Sequence, residues 1–147
     1  MNELLAMIGA VKFLAHDLHY RSKGMSFYAL HILADRCPKG LDEDMDSIRE
    51  VYFMGEMKTL PPTDIDTYEK SIAYARQVMS TDGEFDSVDL NKILVLRLRL
   101  ICEMALAKIE ELKEPNDLAS GTVAVLDGIA VKLQTNYALL DHCATQE

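Results

Sequence analysis

HYRSKGMSFYALHILADRCPKGLDEDMDSIRE, residues 19–50, carries five side chains of the kinds that bind metal ions: His19, His31, Asp35, Asp46 and Glu50. Their separations are 12, 4, 11 and 4 residues. His31 with Asp35, and Asp46 with Glu50, are i,i+4 pairs, and on a helix such pairs share a face and can converge on one ion. Imidazole with carboxylate is a borderline-to-hard donor set that suits iron, with manganese or zinc as alternatives at the same site. Each residue alone has an ordinary explanation. A helical histidine is commonly a hydrogen-bonded structural residue, and an acidic run such as LDEDMDSIRE is commonly a solvated face. The joint pattern favours a site. On a continuous helix Asp35, Asp42, Asp46 and Glu50 fall within one quadrant at about 100° per residue. Phe27, Leu30 and Leu33 make the neighbourhood apolar.

Outward from this stretch, helical periodicity governs the chain. Leu4, Leu5, Ile8, Val11, Leu14, Ala15 and Leu18 form an apolar stripe that predicts a helix over 2–22, ended by Ser22, Lys23 and Gly24. A second helical pattern starts near Met25, is interrupted by Pro38 and Gly40, resumes at Leu41 and ends at Gly55. Proline lacks the amide donor and clashes with the carbonyl four residues back, so either a kink or a full break is expected there. Thr59 to Thr63, with Pro61 and Pro62, reads as a linker. A shorter helix follows over 64–80 with Asp64 as N-cap, and Thr81-Asp82-Gly83 reads as a turn. A long helix is expected over 87–113. A last one, capped by Asp117, is expected to reach about Asp141. No alternating strand pattern or internal repeat occurs. The expectation is one all-α domain over 1–147: a four-helix bundle with a short extra helix between helices 2 and 3.

Geometry limits how the five ligands combine. Along a continuous helix, His31/Asp35 and Asp46/Glu50 stand about 15 residues apart, roughly 22 Å. One helix cannot bring both pairs to one ion. Two copies running antiparallel about a two-fold axis can, with His31 and Asp35 of one chain facing Asp46 and Glu50 of the other, and His19 completing the histidine side. Bundles that build a di-iron site within one subunit use Glu-x-x-His on two helices. None of the four histidines here has Glu three residues before it.

The 147 residues suffice for one sizeable core. The net charge of −9 disfavours nucleic acid and favours cations. Cys37, Cys102 and Cys143 are an odd count without close spacing, which indicates reduced thiols and a cytoplasmic protein rather than a disulfide framework. The start has no basic region of a signal peptide, and no apolar run is long enough to cross a bilayer. The eight methionines read as core filler. Arg97 and Arg99 are expected in ion pairs. His142 is expected to be solvated, and His16 to be a surface residue or an outlying metal contact.

The run from His19 to Asp35, with its His-aromatic pair and G-x-x-F-x-x-L-H-x-x-x-D, followed eleven residues later by D-x-x-x-E, resembles the signature of the Dps family, the miniferritins. The resemblance implies a ferritin-like four-helix bundle assembled as a hollow dodecamer. It further implies that the five residues form a ferroxidase site shared between subunits. There Fe²⁺ is oxidised by peroxide, or by oxygen, and stored as ferric mineral. Tyr137 stands where that family usually has tryptophan. Val51 replaces the usual Arg, Pro38 interrupts a helix that is normally unbroken, where the preserved ligand spacing argues for a kink, and no Lys-rich tail precedes the first helix. Glu110, Glu111, Glu114 and Asp117 read either as an ordinary solvated turn or, by the resemblance, as an acidic three-fold pore attracting Fe²⁺. The rival reading is a metal-binding or structural helical assembly without turnover.

Overall fold

The structure, a computed structural model, describes residues 1–81 and 89–145. Among them the regular elements are all helical. Helix α1 is Asn2–Arg21, α2 is Phe27–Arg36 and α3 is Leu41–Ser47, which runs on as a π-helical segment, Ile48–Glu56. Helix α4 is Asp64–Met79, α5 is Leu90–Lys113 and α6 is Ser120–Thr145. No helix among the described residues is long and apolar enough to cross a membrane.

The stripe on α1 is buried along its whole length, as its spacing requires. The burial goes further, because every position from Leu4 to Val11 is closed off, Ala6, Met7, Gly9 and Ala10 included. A helix apolar on all sides is one covered on all sides. Helices α2, α4 and α5 pack around α1, and α5 packs against α6. The covering element that the sequence reading understated is α4. It has 16 residues and lies along α1. A Cβ at Gly9 would overlap Ser71 Oγ and lie 3.0 Å from Ser71 Cβ, so the two backbones approach more closely than larger residues allow.

Several helix ends differ from the sequence reading by a few residues. The N-cap of α4 is Thr63, not Asp64: Thr63 is extended, and its Oγ1 accepts the Asp66 N–H at 3.1 Å. Asp64 is instead the first helical residue, where its charge meets the positive end of the helix dipole. Helix α5 starts with Asp89 as cap, accepting from the Asn91 N–H at 3.0 Å. The expected residues 87 and 88, and Asp82 and Gly83 of the expected turn, lie outside the described residues. Helix α6 begins three residues after Asp117 and runs beyond Asp141. Its first turn is served by Glu56, whose Oε1 accepts from the Ala119 N–H at 3.0 Å and the Thr122 hydroxyl at 2.6 Å. A carboxylate there satisfies an orphan donor and complements the dipole.

Pro38 produces a full break, not the kink that the ligand spacing favoured. Helix α2 ends at Arg36, and residues 37–40 form a turn. Gly40 takes φ +80, the left-handed region that suits glycine, and α3 starts after it. The turn accounts for its own backbone groups. Lys39 N–H bonds to the Arg36 carbonyl and Leu41 N–H to the Pro38 carbonyl, both at 3.1 Å. The buried Asn136 of α6 donates its side-chain amide to the Cys37 carbonyl at 3.2 Å. That carbonyl would otherwise be a buried acceptor without a partner, at a cost of about 1–3 kcal/mol.

The resumed helix is α-helical only to Ser47, and it turns π-helical where an α-helix to Met54 was expected. The wider i→i+5 ring brings residue 55 over the Glu50 carbonyl. A Cβ at Gly55 would sit 3.2 Å from that oxygen, so glycine fits the π turn here instead of ending the helix. The segment closes with Met57 N–H to the Tyr52 carbonyl and Thr59 N–H to the Phe53 carbonyl, both at 2.8 Å, around Lys58 at φ +54.

The methionine reading holds for Met7 and Met45, which are buried, and for Met1 and Met104, which pack against the core. It fails for Met25, Met54, Met57 and Met79, which are exposed. Arg99 pairs with Asp141 at 2.7 Å, tying α5 to α6. The three cysteines are free, Cys37 and Cys102 buried and Cys143 exposed. Burial pushes the Cys37 thiol up to about 12 and raises that of Cys102 as well.

Candidate metal site

His19 lies in the last turn of α1 and His31 in the second turn of α2. The connection over residues 22–26 reverses the chain and sets the two imidazoles face to face, with ring centroids 3.6 Å apart and planes inclined by 26°. Each ring is tied to the backbone of the other. His31 Nδ1 bonds to the His19 carbonyl at 2.9 Å, and His19 Nδ1 to the His31 carbonyl at 3.3 Å. A carbonyl oxygen only accepts, so Nδ1 is the donor in both rings. A neutral imidazole with its proton on Nδ1 keeps the Nε2 lone pair, and a backbone carbonyl on the other nitrogen is the usual way a metal-binding histidine is oriented. Tyr20 packs edge-on to His19 at 4.6 Å between centroids, and Phe27 flanks His31 at 5.1 Å.

Asp35 is one turn beyond His31, exposed, on the wall of a groove between α2 and α6. The acidic pair stands elsewhere. Asp46 is in α3, its side chain 72% exposed, 3.9 Å from the Arg49 guanidinium. Glu50 is exposed in the π segment. Arg49 is anchored more firmly by Asp64, at 2.8 Å. The neighbouring acids are also engaged: Asp42 with Lys12, and Asp44 with Lys132 through both oxygens at 3.0 Å. Among the described residues three acids of the run are therefore in ion pairs, and Glu43 and Glu50 stand apart.

The structure thus brings His19 and His31 together, leaves Asp35 adjacent on the same helix, and places Asp46 and Glu50 beyond the break. Among the described residues no three histidines, cysteines or carboxylates are grouped so as to hold a metal ion. Glu110, Glu114 and Asp117 are exposed at the α5–α6 turn, and Glu111 pairs with Lys108 at 3.0 Å.

Two residues important to this region were not singled out from the sequence. Arg49 competes for Asp46, and its signal was the i,i+3 spacing of opposite charges. Asn136 holds the break, and its signal was a polar residue at helical spacing among the buried Leu126, Ile129, Leu133 and Leu140 of α6. No family model, no curated protein and no solved structure matches this chain.

Proposed function

We propose that the chain is a ferritin-like iron protein of the Dps type, which oxidises Fe²⁺ at a site shared between two subunits and stores the ferric product in a hollow assembly, a dodecamer by the sequence resemblance. The observation that carries this reading is the reciprocal His19–His31 pair. Two imidazoles, each with Nδ1 fixed on a carbonyl and Nε2 left with its lone pair, are prepared to receive a borderline cation. Asp35 supplies a carboxylate from the same chain. The partner copy supplies Asp46 and Glu50, because one chain does not bring them to the histidines. Exposed apolar side chains favour such a partner: Leu60 is 92% exposed and Ile65 73%, with Met54 and Met57 exposed nearby in sequence. Side chains of that size in water are a common mark of a surface that another chain covers.

Iron is the substrate. The histidines bind Fe²⁺ on entry, and the carboxylates favour the higher charge of Fe³⁺. Two Fe²⁺ give two electrons to one peroxide, which with two protons leaves as two waters; oxygen is the alternative oxidant. Removing Fe²⁺ and peroxide together limits radical chemistry, a role that suits a cytoplasmic protein. The net charge of −9 works against duplex binding and in favour of cation entry.

A second reading, a helical metal-binding assembly without turnover, is favoured by one observation: Arg49 stands beside Asp46, where a ligand would have to be free. Anaerobic addition of Fe²⁺ followed by peroxide separates the two. A ferroxidase develops ferric absorbance at a rate that saturates with iron. A structural assembly gives only the rate of the protein-free control.

A further inference from the structure

Of the charged side chains lining the groove that Asp35 borders, most are positive. It encloses about 540 Å³ between α2, the break and α6, and Arg36, Lys39 and Lys132 line it beside Asp35, with Ile32 and Val131 as apolar walls. On α2, with about 100° per residue, Ile32, Asp35 and Arg36 share one face and Lys39 joins them from the turn that follows, while His31 lies round the helix on the far side of Asp35. Among the described residues the Arg36 and Lys39 side chains make no ion pair or hydrogen bond, although acids outnumber bases 24 to 15 in this chain. Lys132 is shared with Asp44 across the mouth of the break. The groove thus collects three cations against Asp35 and Asp44, a local excess of positive charge on an acidic molecule. Two of its cations lack a partner among the described residues, and one of them is a planar guanidinium suited to two-point contact with an oxyanion.

We propose that this groove binds a phosphate group, with Arg36 and Lys39 as its principal ligands and Lys132 at its edge. The dianion offers three acceptor oxygens and close to two negative charges, which matches a guanidinium and an ammonium lining one groove better than a single carboxylate does. Free phosphate and a small phosphomonoester share this chemistry, and the apolar walls leave room for either. The groove shares Asp35 with the proposed iron site, but its principal ligands are Arg36 and Lys39 and it is tested without iron, so its failure leaves the ferroxidase reading standing, and the reverse.

The experiment is isothermal titration of the metal-free protein with inorganic phosphate, and separately with a nucleoside monophosphate, at low ionic strength. Arg36→Gln and Lys39→Gln are the variants, Arg76→Gln is the charge-matched control on α4, and circular dichroism verifies that each folds. The expected result is one saturable site per chain. Each groove variant weakens it about tenfold or more, as loss of a charge-assisted hydrogen bond does, the control leaves it unchanged, and added salt weakens it. The tighter of the two anions identifies the source of the phosphate. Absence of saturable binding for both anions, or equal weakening in the control and the groove variants, would overturn the proposal.

Discussion

His19 and His31 meet across the turn from α1 to α2, and each ring is held by the other's carbonyl. Asp46 and Glu50, by contrast, stand exposed on α3 and the π segment, and the contact Asp46 makes is with Arg49. The histidine half is fixed by neighbours within 12 residues and needs nothing from outside the chain. The carboxylate half is left for something else to organise, and on the present account that is a second copy. Between them lie a break at 37–40 and a change of helix type at 48, so the two halves are not positions on one rigid rod. The estimate of roughly 22 Å between them assumed a continuous helix. What survives is the weaker and sufficient point that one chain does not assemble the site.

The contrast makes the two halves respond differently to substitution. The largest effect is expected at the histidine half. His31→Ala removes a ligand and the donor that holds the His19 carbonyl, and zinc binding followed by calorimetry should weaken by at least the ~10–100-fold that loss of a supporting group alone costs. Next comes the break. Asn136→Ala leaves the buried Cys37 carbonyl without its partner, so urea unfolding should show a loss of about 1–3 kcal/mol. The His19–His31 pair does not involve the break, and zinc binding by the histidines should change much less than iron oxidation.

A smaller effect, of opposite sign, is expected at the carboxylate half. Arg49→Gln frees Asp46 and should tighten metal binding by about two- to fivefold, the scale of one exposed ion pair. Its effect on stability should stay below about 1 kcal/mol, because the Arg49–Asp64 bridge is a surface pair. Away from both halves, Glu3 is held below the ordinary carboxylate value of 4.5, first by the Tyr74 hydroxyl and then by Lys70. A carboxylate with a lowered native pKa contributes stability that is complete above 4.5 and lost as pH falls from there through the native value. Glu3→Gln should therefore flatten the acid limb of a stability–pH curve while leaving metal binding unchanged.

The features legible in the sequence are those with short-range causes. The α1 stripe follows from spacing alone, although the cover that α4 adds over Leu4 to Val11 did not. Pro38 with Gly40 marked the interruption, because proline cannot donate and glycine can turn left-handed. The end of α1 between the two histidines was visible in Ser22, Lys23 and Gly24, but not the face-to-face pairing of the rings. Long-range contacts were not legible. Glu56 serves the start of α6 from 63 residues away, which moved that helix from Asp117 to Ser120. Asn136 reaches the break from 99 residues away. The π segment escaped because Gly55 reads locally as a helix end, and only the i→i+5 ring shows it to be an accommodation. The engagement of Asp42 by Lys12 and of Asp44 by Lys132 likewise could not be told from a free acidic face.

The claim at the centre of this account is that two chains share one site, and subunit mixing tests it most directly. Asp35→Ala removes a ligand from the histidine half and Glu50→Ala one from the carboxylate half. Each variant alone carries only sites that lack one ligand, and each should be nearly inactive in peroxide-driven iron oxidation. When the two are unfolded and reassembled together, a mixed two-fold pair has one site without either ligand and one with all five, so the mixture should recover part of the wild-type rate. Mixed pairs verified by native mass measurement that recover none of it would contradict the shared site.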